Sequence, residues 1–364
     1  MTTGFYILQF IGILIFLVLV HEAGHMVVAK WCGMRVERFS VFFGRSLARF
    51  QRGETEYRVG WLPLGGYVKI SGMSRDEEIP DELVPRAYYS ASMWRKIATI
   101  AAGPAVNILV AVVCFTAMYW IGIPNTGQPT TRLAQIEVSS PADHAGMRPG
   151  DTIVAVNGQR STDPASFRKI LTAHPNGFVT ITYRHAGAGI TKTVQLTSVK
   201  TVNQKVVACN PAAQTGCIGH LGIGFGFATQ HAGFVGGIRN GVHYTWWVIH
   251  ETATRIFQTP TQVQSVVGVG AVYTEVASQG LATVLAFTGV LSLALALFNL
   301  LPIPPLDGGH ILFAVIERVR GRSLSAAAYE RAAVVGIALM IMLFLVVVQK
   351  DIVNISNGTV LGGK

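Results

Sequence analysis

Four long apolar runs constrain the fold of this chain more than any other feature of its sequence. They cover residues 5–20, 97–123, 281–301 and 332–349, and the second and third contain no charged side chain. A helix needs about 20 apolar residues to cross a bilayer. Half of the residues are hydrophobic and only 13% are charged, which is typical of a multi-span membrane protein. A signal peptide is the alternative for the first run, but that run lacks a basic leading region and a small-residue cleavage site.

Charges in the short connections predict how the spans are oriented. Residues 1–20 are uncharged, residues 30–52 hold six basic side chains and one acid, and residues 317–331 hold four basic side chains and two acids. Basic loops stay in the cytosol, so we expect both termini and segment 124–280 outside it. The net charge of +10 is then a topology signal. A nucleic-acid partner is not expected, because no dense basic run with interleaved aromatic residues is present.

A His-Glu-x-x-His motif, His21 to His25, stands at the end of the first apolar run. On a helix, residues four apart share one face, so both imidazoles can bind the same metal ion. Glu22 is near enough to act on a water molecule at that ion. Ionisable groups within a span are costly and usually functional. The motif therefore predicts a zinc site, and a pair of hydrogen-bonded core histidines is the alternative.

A catalytic zinc site needs a third protein ligand and one open position. Of the seven aspartates, Asp307 directly follows the third apolar run, in FNLLPIPPLDGGH. The prolines there end the helix, and Gly308 and Gly309 allow a tight turn that swings the carboxylate towards a neighbouring helix. Asp307 is also on the same predicted side of the membrane as the histidine pair. His310 is a rival ligand, and a plain helix-end charge is the other alternative.

The segment between the second and third runs has signals of its own. IEVSSPADHAGMRPGDTIVAVNGQ reads as strands and turns, residues 163–174 as an amphipathic helix, and VTITYR and TKTVQL as alternating strands. This pattern resembles a PDZ domain over residues 126–202, which would take a peptide as an added strand or act as a steric filter. Further on, HYTWWVIH is too short to span and predicts an interfacial helix. Cys209 and Cys217 form a disulfide there or remain two free thiols.

The pairing of HEAGH on the first run with NLLPIPPLDGG after the third resembles the site-2 protease family of intramembrane zinc metalloproteases. RGETEYRVGWLPLGGYVKISGM, AAGPAVN and VIERVRG extend the resemblance over nearly the whole chain. Within the family the chain is similar to the regulator-of-sigma-E protease (RseP-like) branch, particularly its actinobacterial members with one PDZ domain. Relatives with two PDZ domains differ here, so their gating of substrate entry does not transfer.

The resemblance implies a mechanism and a set of site residues. Zinc is the implied cofactor, and Glu22 the implied base. The resemblance also implies a hairpin that dips into the membrane and holds substrate as an added strand, although a hairpin without a substrate role is the alternative. The implied zinc ligands are His21, His25 and Asp307, and the implied substrate-binding residues are Asn299, Gly65, Gly66 and Tyr67.

The implied partners follow from the same resemblance. The substrate is a single-span transmembrane protein, such as an anti-sigma factor already shortened by an upstream site-1 protease, or a remnant signal peptide. The reaction takes place among the lipids of a bacterial inner membrane. Two other classes remain open, a membrane zinc transporter and a catalytically silent PDZ scaffold. The first leaves Glu22 without a use, and the second leaves the His, Glu, His, Asp set unexplained.

The predicted fold is a polytopic α-helical membrane protein of about four transmembrane helices. It carries a small membrane-associated β-sheet and one extracytoplasmic PDZ-like α+β domain. The predicted segments are the first transmembrane helix with its motif (1–34), the cytosolic hairpin region (35–96), the second helix (97–123), the PDZ domain (126–202), a post-PDZ segment with an interfacial helix (203–280), the third helix with LDGG (281–316) and the fourth helix (332–349).

Overall fold

The chain forms two compact units in the computed structural model. One comprises Met1–Ile121 with Ala232–Lys364, and the other comprises Gly122–His231. The structure describes residues 3–73, 77–202, 205–258, 269–270, 272–273, 277, 280–322 and 324–356, so parts of the predicted segment 203–280 lie outside the described residues. The α-helices with defined bounds are α1 (Thr3–Trp31), α2 (Met93–Ile121), α3 (Pro141–His144), α4 (Pro164–Thr172), α5 (Phe234–Gln258), α6 (Leu281–Asn299), α7 (Asp307–Arg320) and α8 (Ala326–Ser356), and two short 3-10 helices cover Asp81–Arg86 and Tyr88–Ser90.

Four of these helices, α1, α2, α6 and α8, are the ones in the described chain that are long and apolar enough to cross a membrane. By length and composition, the four predicted spans thus correspond to four apolar helices. Within a bilayer no hydrophobic driving force brings helices together, because lipid is as apolar as their side chains. Helices therefore associate where small residues allow close packing. Gly24 of α1 shows this, because a side-chain carbon there would lie 2.7 Å from the carbonyl oxygen of Ala102 on α2.

A two-stranded antiparallel sheet follows α1, with strands β1 (Val36–Arg52) and β2 (Thr55–Ile70). Both strands bend, and β2 wraps around the first half of β1. Ser40, for example, is paired with Arg58 on one side and with Tyr67 on the other. Gly60 lies against the Phe43 carbonyl and Gly65 adopts a φ of 133°, a conformation that favours glycine. The wrap places residues 66–70 beside residues 36–41 and makes them an outer segment of the sheet.

The second unit, Gly122–His231, has a core of its own. Its strands are β3 (Ile123–Ile136), β4 (Thr152–Val156), β5 (Gln159–Arg160), β6 (Phe178–His185), β7 (Ala188–Gln195), β8 (Thr197–Val202), β9 (Lys205–Ala208), β10 (Ile218–His220) and β11 (Ile223–Gln230). The larger sheet has the order β11-β3-β4-β6-β7, with β5 paired to β4. Phe167 and Leu171 of α4 are buried in the same core as Ile153 and Ile181. The turn indicated by the Asn-Gly pair is present, since Asn157 and Gly158 both have positive φ between β4 and β5.

The chain beyond residue 202 contributes to this unit as well. Strand β11 pairs with β3, and β10, β8 and β9 form a separate three-stranded sheet. Cys209 and Cys217 are joined by a disulfide, and the free cysteines of the described chain are Cys32 and Cys114. The compact unit therefore extends past the range 126–202 that the strand pattern had indicated. The Gly-rich sequence of β11 carries little strand signal, and its pairing is long-range.

Helix α5 contains the aromatic stretch that predicts an interfacial helix. Gly241 lies against Thr116 of α2, and the ring of Tyr244 meets the ring of Phe115 edge-on at 4.9 Å. The opposite side leaves indoles exposed, with Trp246 at 69%. One face of α5 thus packs on α2 while the other presents large aromatic side chains, as amphipathic interfacial helices do.

Candidate metal centre

The two histidines of the motif lie on one face of α1 with their rings 4.8 Å apart. His21 is 5% exposed and His25 is 7% exposed, and their Nε2 atoms lie 3.2 Å from each other. The helical spacing of four residues produces this geometry directly. Two imidazole nitrogens therefore point at the same small volume, deep beside an apolar helix.

Asp307 brings an oxygen to the same point from another part of the chain. Its Oδ2 lies 3.1 Å from His21 Nε2 and 3.4 Å from His25 Nε2. Asp307 is the first residue of α7, and Gly308 lies against the carbonyls of Leu300 and Leu301, where a side chain would not fit. The glycine thus lets α7 start immediately beside the end of α6 and holds the carboxylate in the interior.

These three side chains fit a zinc ion. They form the one group of three or more potential ligands found in the described chain, with their ligand atoms within 4.8 Å of one another. Asp307 Oδ2 is buried and has no hydrogen-bond partner, which is costly for a carboxylate unless a cation neutralises it. Two imidazoles and one carboxylate are a known donor set for a catalytic zinc with an open fourth position. His310 is not a member of this group.

Helix α2 supports the histidines at two points that the sequence reading had missed. His25 Nδ1 donates to the carbonyl oxygen of Thr99 at 2.9 Å, which directs Nε2 towards Asp307. Gly103 is the second point, because a side-chain carbon there would lie 2.8 Å from His21 Cε1 and would overlap His25 Nε2. Gly103 lies in the AAGPAVN stretch, and Thr99 lies two residues before it. The signal that could have revealed this contact is the glycine within a membrane helix, which indicates close packing.

Glu22 lies between the ligand group and the sheet. A side-chain carbon at Gly66 would come within 3.4 Å of Glu22 Cγ, and the backbone of Val68 is within hydrogen-bonding reach of the Glu22 carboxylate. Glu22 also lies within electrostatic range of the His25 ring and the Asp307 carboxylate. The carboxylate is consequently close both to the ligands and to the outer segment of the sheet, residues 66–70.

The remaining predicted substrate-binding residues lie in two places. Gly65, Gly66 and Tyr67 occupy the bend and outer segment of β2, where the Tyr67 ring stacks on Phe43 at 5.7 Å. Asn299 is the last residue of α6, and its Nδ2 donates to the Leu295 carbonyl of its own helix at 2.9 Å. The structure thus brings Gly66 next to Glu22, whereas the recorded hydrogen bond of Asn299 is internal to α6.

Comparisons with known proteins agree with this geometry. The profile of peptidase family M50 matches residues 9–343. The zinc metalloprotease Rip1 of Mycobacterium tuberculosis is 32% identical, covering 93% of this chain and 94% of its own. A protein of Agrobacterium fabrum named as a zinc metalloprotease is also 32% identical, over 96% of this chain and 97% of its own. A PDZ domain of a Listeria monocytogenes SdrC-like protein aligns with 27% of this chain and 86% of its own, at 15% identity and a TM-score of 0.20, which is too weak to carry an inference.

The chain belongs to peptidase family M50, the site-2 protease family. It is therefore a membrane zinc metalloprotease, as the pairing of the histidine motif with the LDGG motif had predicted. Membership in a protease family decides against the zinc transporter and the silent scaffold.

Proposed function

We propose that this protease hydrolyses a peptide bond in the transmembrane segment of single-span membrane proteins. The observation that carries the proposal is the convergence of His21, His25 and Asp307 beside Glu22, next to the outer segment of a sheet. A transmembrane helix hides its carbonyls in internal hydrogen bonds, so a substrate must unwind before attack. A strand edge can hold the unwound substrate, and the metal ligands and Glu22 beside it can carry out the hydrolysis.

His21, His25 and Asp307 would hold the zinc, and Glu22 would handle the proton. Zinc, when bound, supplies a Lewis acid that polarises the scissile carbonyl and makes water a better nucleophile. Glu22 takes a proton from the attacking water and later delivers it to the leaving amine. The burial of the histidines keeps bulk water from competing at this point.

The outer segment 66–70 of β2 would hold the unwound substrate as an added strand. In the described chain the strand pairings of this segment are all with β1, so its other edge has no strand partner and faces Glu22, which the backbone of Val68 can reach. Strand addition supplies the backbone hydrogen bonds that water cannot provide within a bilayer. Gly65, Gly66 and Tyr67 would contact the substrate there, and Asn299 would contact its backbone from the end of α6.

The proposed location is a bacterial inner membrane, with both termini and the unit Gly122–His231 on the extracytoplasmic side. The basic residues of the two short connections support this orientation. Substrates would be anti-sigma factors or remnant signal peptides, already shortened by an upstream site-1 protease. The second unit would then act on the extracytoplasmic part of the substrate, either by binding it as a peptide or by excluding substrates whose extracytoplasmic part is too large.

The substitution Glu22→Gln tests the proposal, because it keeps the shape of the side chain and removes the proton transfer. Cleavage of a single-span substrate in detergent or vesicles should fall by about 10² to 10⁴. Zinc content should stay at the wild-type level, and uncleaved substrate should co-purify with the variant. Glu78→Gln, at an exposed acid that does not belong to the ligand group, is the matched control and should cleave normally. Near wild-type cleavage by Glu22→Gln would refute the role of Glu22, and loss of zinc would place Glu22 among the ligands.

A further inference from the structure

Asn107 is a buried polar residue next to the ligand group that the mechanism above leaves without a role. It lies on α2 with 0% of its surface exposed. Its side-chain nitrogen is 3.3 Å from Nδ1 of His21, across 86 positions of sequence. Its side-chain oxygen, Oδ1, is buried and has no hydrogen-bond partner. An unpaired buried amide oxygen costs stability, so this placement calls for an explanation.

The chemistry of a ligand histidine supplies that explanation. When His21 offers the lone pair of Nε2 to a metal ion, its Nδ1 carries the proton and needs an acceptor. The oxygen and nitrogen of an asparagine amide occupy nearly equivalent positions. A half-turn of the Asn107 amide therefore places Oδ1 against the Nδ1 proton of His21. The rotation gives the histidine its acceptor and Oδ1 its donor, and it moves the amide nitrogen to the position that Oδ1 had occupied.

Helix α6 holds Asn107 in place from the other side. Ser292 Oγ donates to the backbone carbonyl of Asn107 at 2.7 Å, and Ser292 is itself fully buried. This bond joins residues 185 positions apart and ties the two helices together one hydrogen bond away from the ligand. The amide of Asn107 is thus mounted on a backbone that is fixed at the depth of the histidines.

We infer that Asn107 is a positioning residue that fixes the tautomer and ring orientation of His21 through a hydrogen bond from Nδ1–H to Oδ1. The inference rests on the proposed zinc site. His21 then has the same support that His25 receives from the Thr99 carbonyl, so that α2 orients both imidazoles. Asn107 does not touch the substrate, and its effect acts through the affinity and geometry of the site.

Two substitutions of similar size separate the hydrogen bond from simple packing. Asn107→Leu removes every polar atom, and Asn107→Asp retains an acceptor but not the amide donors. With Zn²⁺ as the probe, chelator competition on the full-length protein should show affinity about 10- to 100-fold weaker for Asn107→Leu. Asn107→Asp should stay within about threefold of wild type, as carboxylate–histidine–zinc arrangements do. Thr116→Val, at a buried position farther along α2, is the matched control and should bind zinc normally.

The outcomes are distinct. Wild-type zinc affinity in Asn107→Leu would overturn the inference. An equal loss of affinity in Asn107→Leu and Asn107→Asp would also overturn it, because the acceptor retained in Asn107→Asp should preserve zinc binding. His21→Ala provides the separate test of the zinc site itself. Zinc lost in His21→Ala but kept in Asn107→Leu would refute the positioning role alone. Unfolding of each metal-free variant, followed by circular dichroism, should match that of Thr116→Val, which separates a site effect from a failure to fold.

Discussion

Asp307 is the residue on which the metal site depends most, since it supplies the one negatively charged ligand. Its Oδ2 lies within 3.4 Å of both histidine Nε2 atoms and has no hydrogen-bond partner. In Asp307→Ala two neutral imidazoles remain, and we expect the protein to purify with less than about a tenth of the wild-type zinc. Metal analysis of the purified protein measures this.

His310→Ala is the matched control for that substitution, because His310 lies on the same helix and was the rival ligand. We expect it to retain about one zinc ion per chain, in keeping with a single three-ligand site. Full zinc content in Asp307→Ala, together with loss in His310→Ala, would transfer the ligand role to His310.

Gly103 determines how closely α2 approaches the histidines. A side-chain carbon would lie 2.8 Å from His21 Cε1 and would overlap His25 Nε2, so Gly103→Ala must displace at least one ligand ring. Shifts near 1 Å can cost about 10² in rate, and we expect a loss of that size in kcat/KM. Gly12→Ala on α1 is the control, because no atom lies within 4 Å of its added carbon. Equal activity of the two variants would show that α2 does not limit the position of the ligands.

At the scale of elements, the wrapped sheet connects the ligand group with the proposed substrate strand. Gly66 packs against Glu22, and in the described chain β1 is the strand that pairs with residues 66–70. An inserted photo-crosslinking residue at position 67, in the Glu22→Gln background, should therefore cross-link to a bound transmembrane substrate. The same residue at position 51, exposed at the far end of β1, should give a yield at least about tenfold lower, because strand addition acts only at the edge it pairs with. Equal yields at both positions would argue against strand addition at this edge.

Helix α2 is the second element that decides the site. Thr99, Gly103 and Asn107 are four positions apart, so all three lie on one face of the helix, and each of them meets a histidine of α1. The sequence contains this stripe, but neither hydropathy nor charge distinguishes it from the rest of an apolar span. Its partner on α1 becomes visible only when the two helices are packed.

At the scale of the whole molecule, the distribution of charge predicts the orientation of the chain in the membrane. Residue 51 lies in the basic connection and residue 160 lies in the unit Gly122–His231, and both positions are exposed. In intact cells, an impermeant thiol reagent should label Arg160→Cys and leave Gln51→Cys unlabelled, in a background lacking Cys32 and Cys114. Permeabilised cells, in which both variants should react, are the control. The reverse pattern would invert the proposed topology.

The sequence by itself determined the features that depend on local spacing. Apolar runs of sufficient length predicted four membrane-spanning helices, and the spacing of His21 and His25 placed both rings on one face. The prolines and glycines around Asp307 predicted a turn after the third run, and α7 does begin there. Each of these inferences needs only the geometry of one helix or one turn.

Only the tertiary structure decided which of these elements meet. The supports of the histidines, Thr99 and Asn107, come from 74 and 86 positions away, and β11 closes a sheet with β3 across the whole second unit. The wrap of β2, which brings Gly66 to Glu22, is likewise absent from any local pattern. Periodicity specifies which face of an element is buried, but the choice of partner comes from packing of specific surfaces, and that information is distributed over residues far apart in the chain.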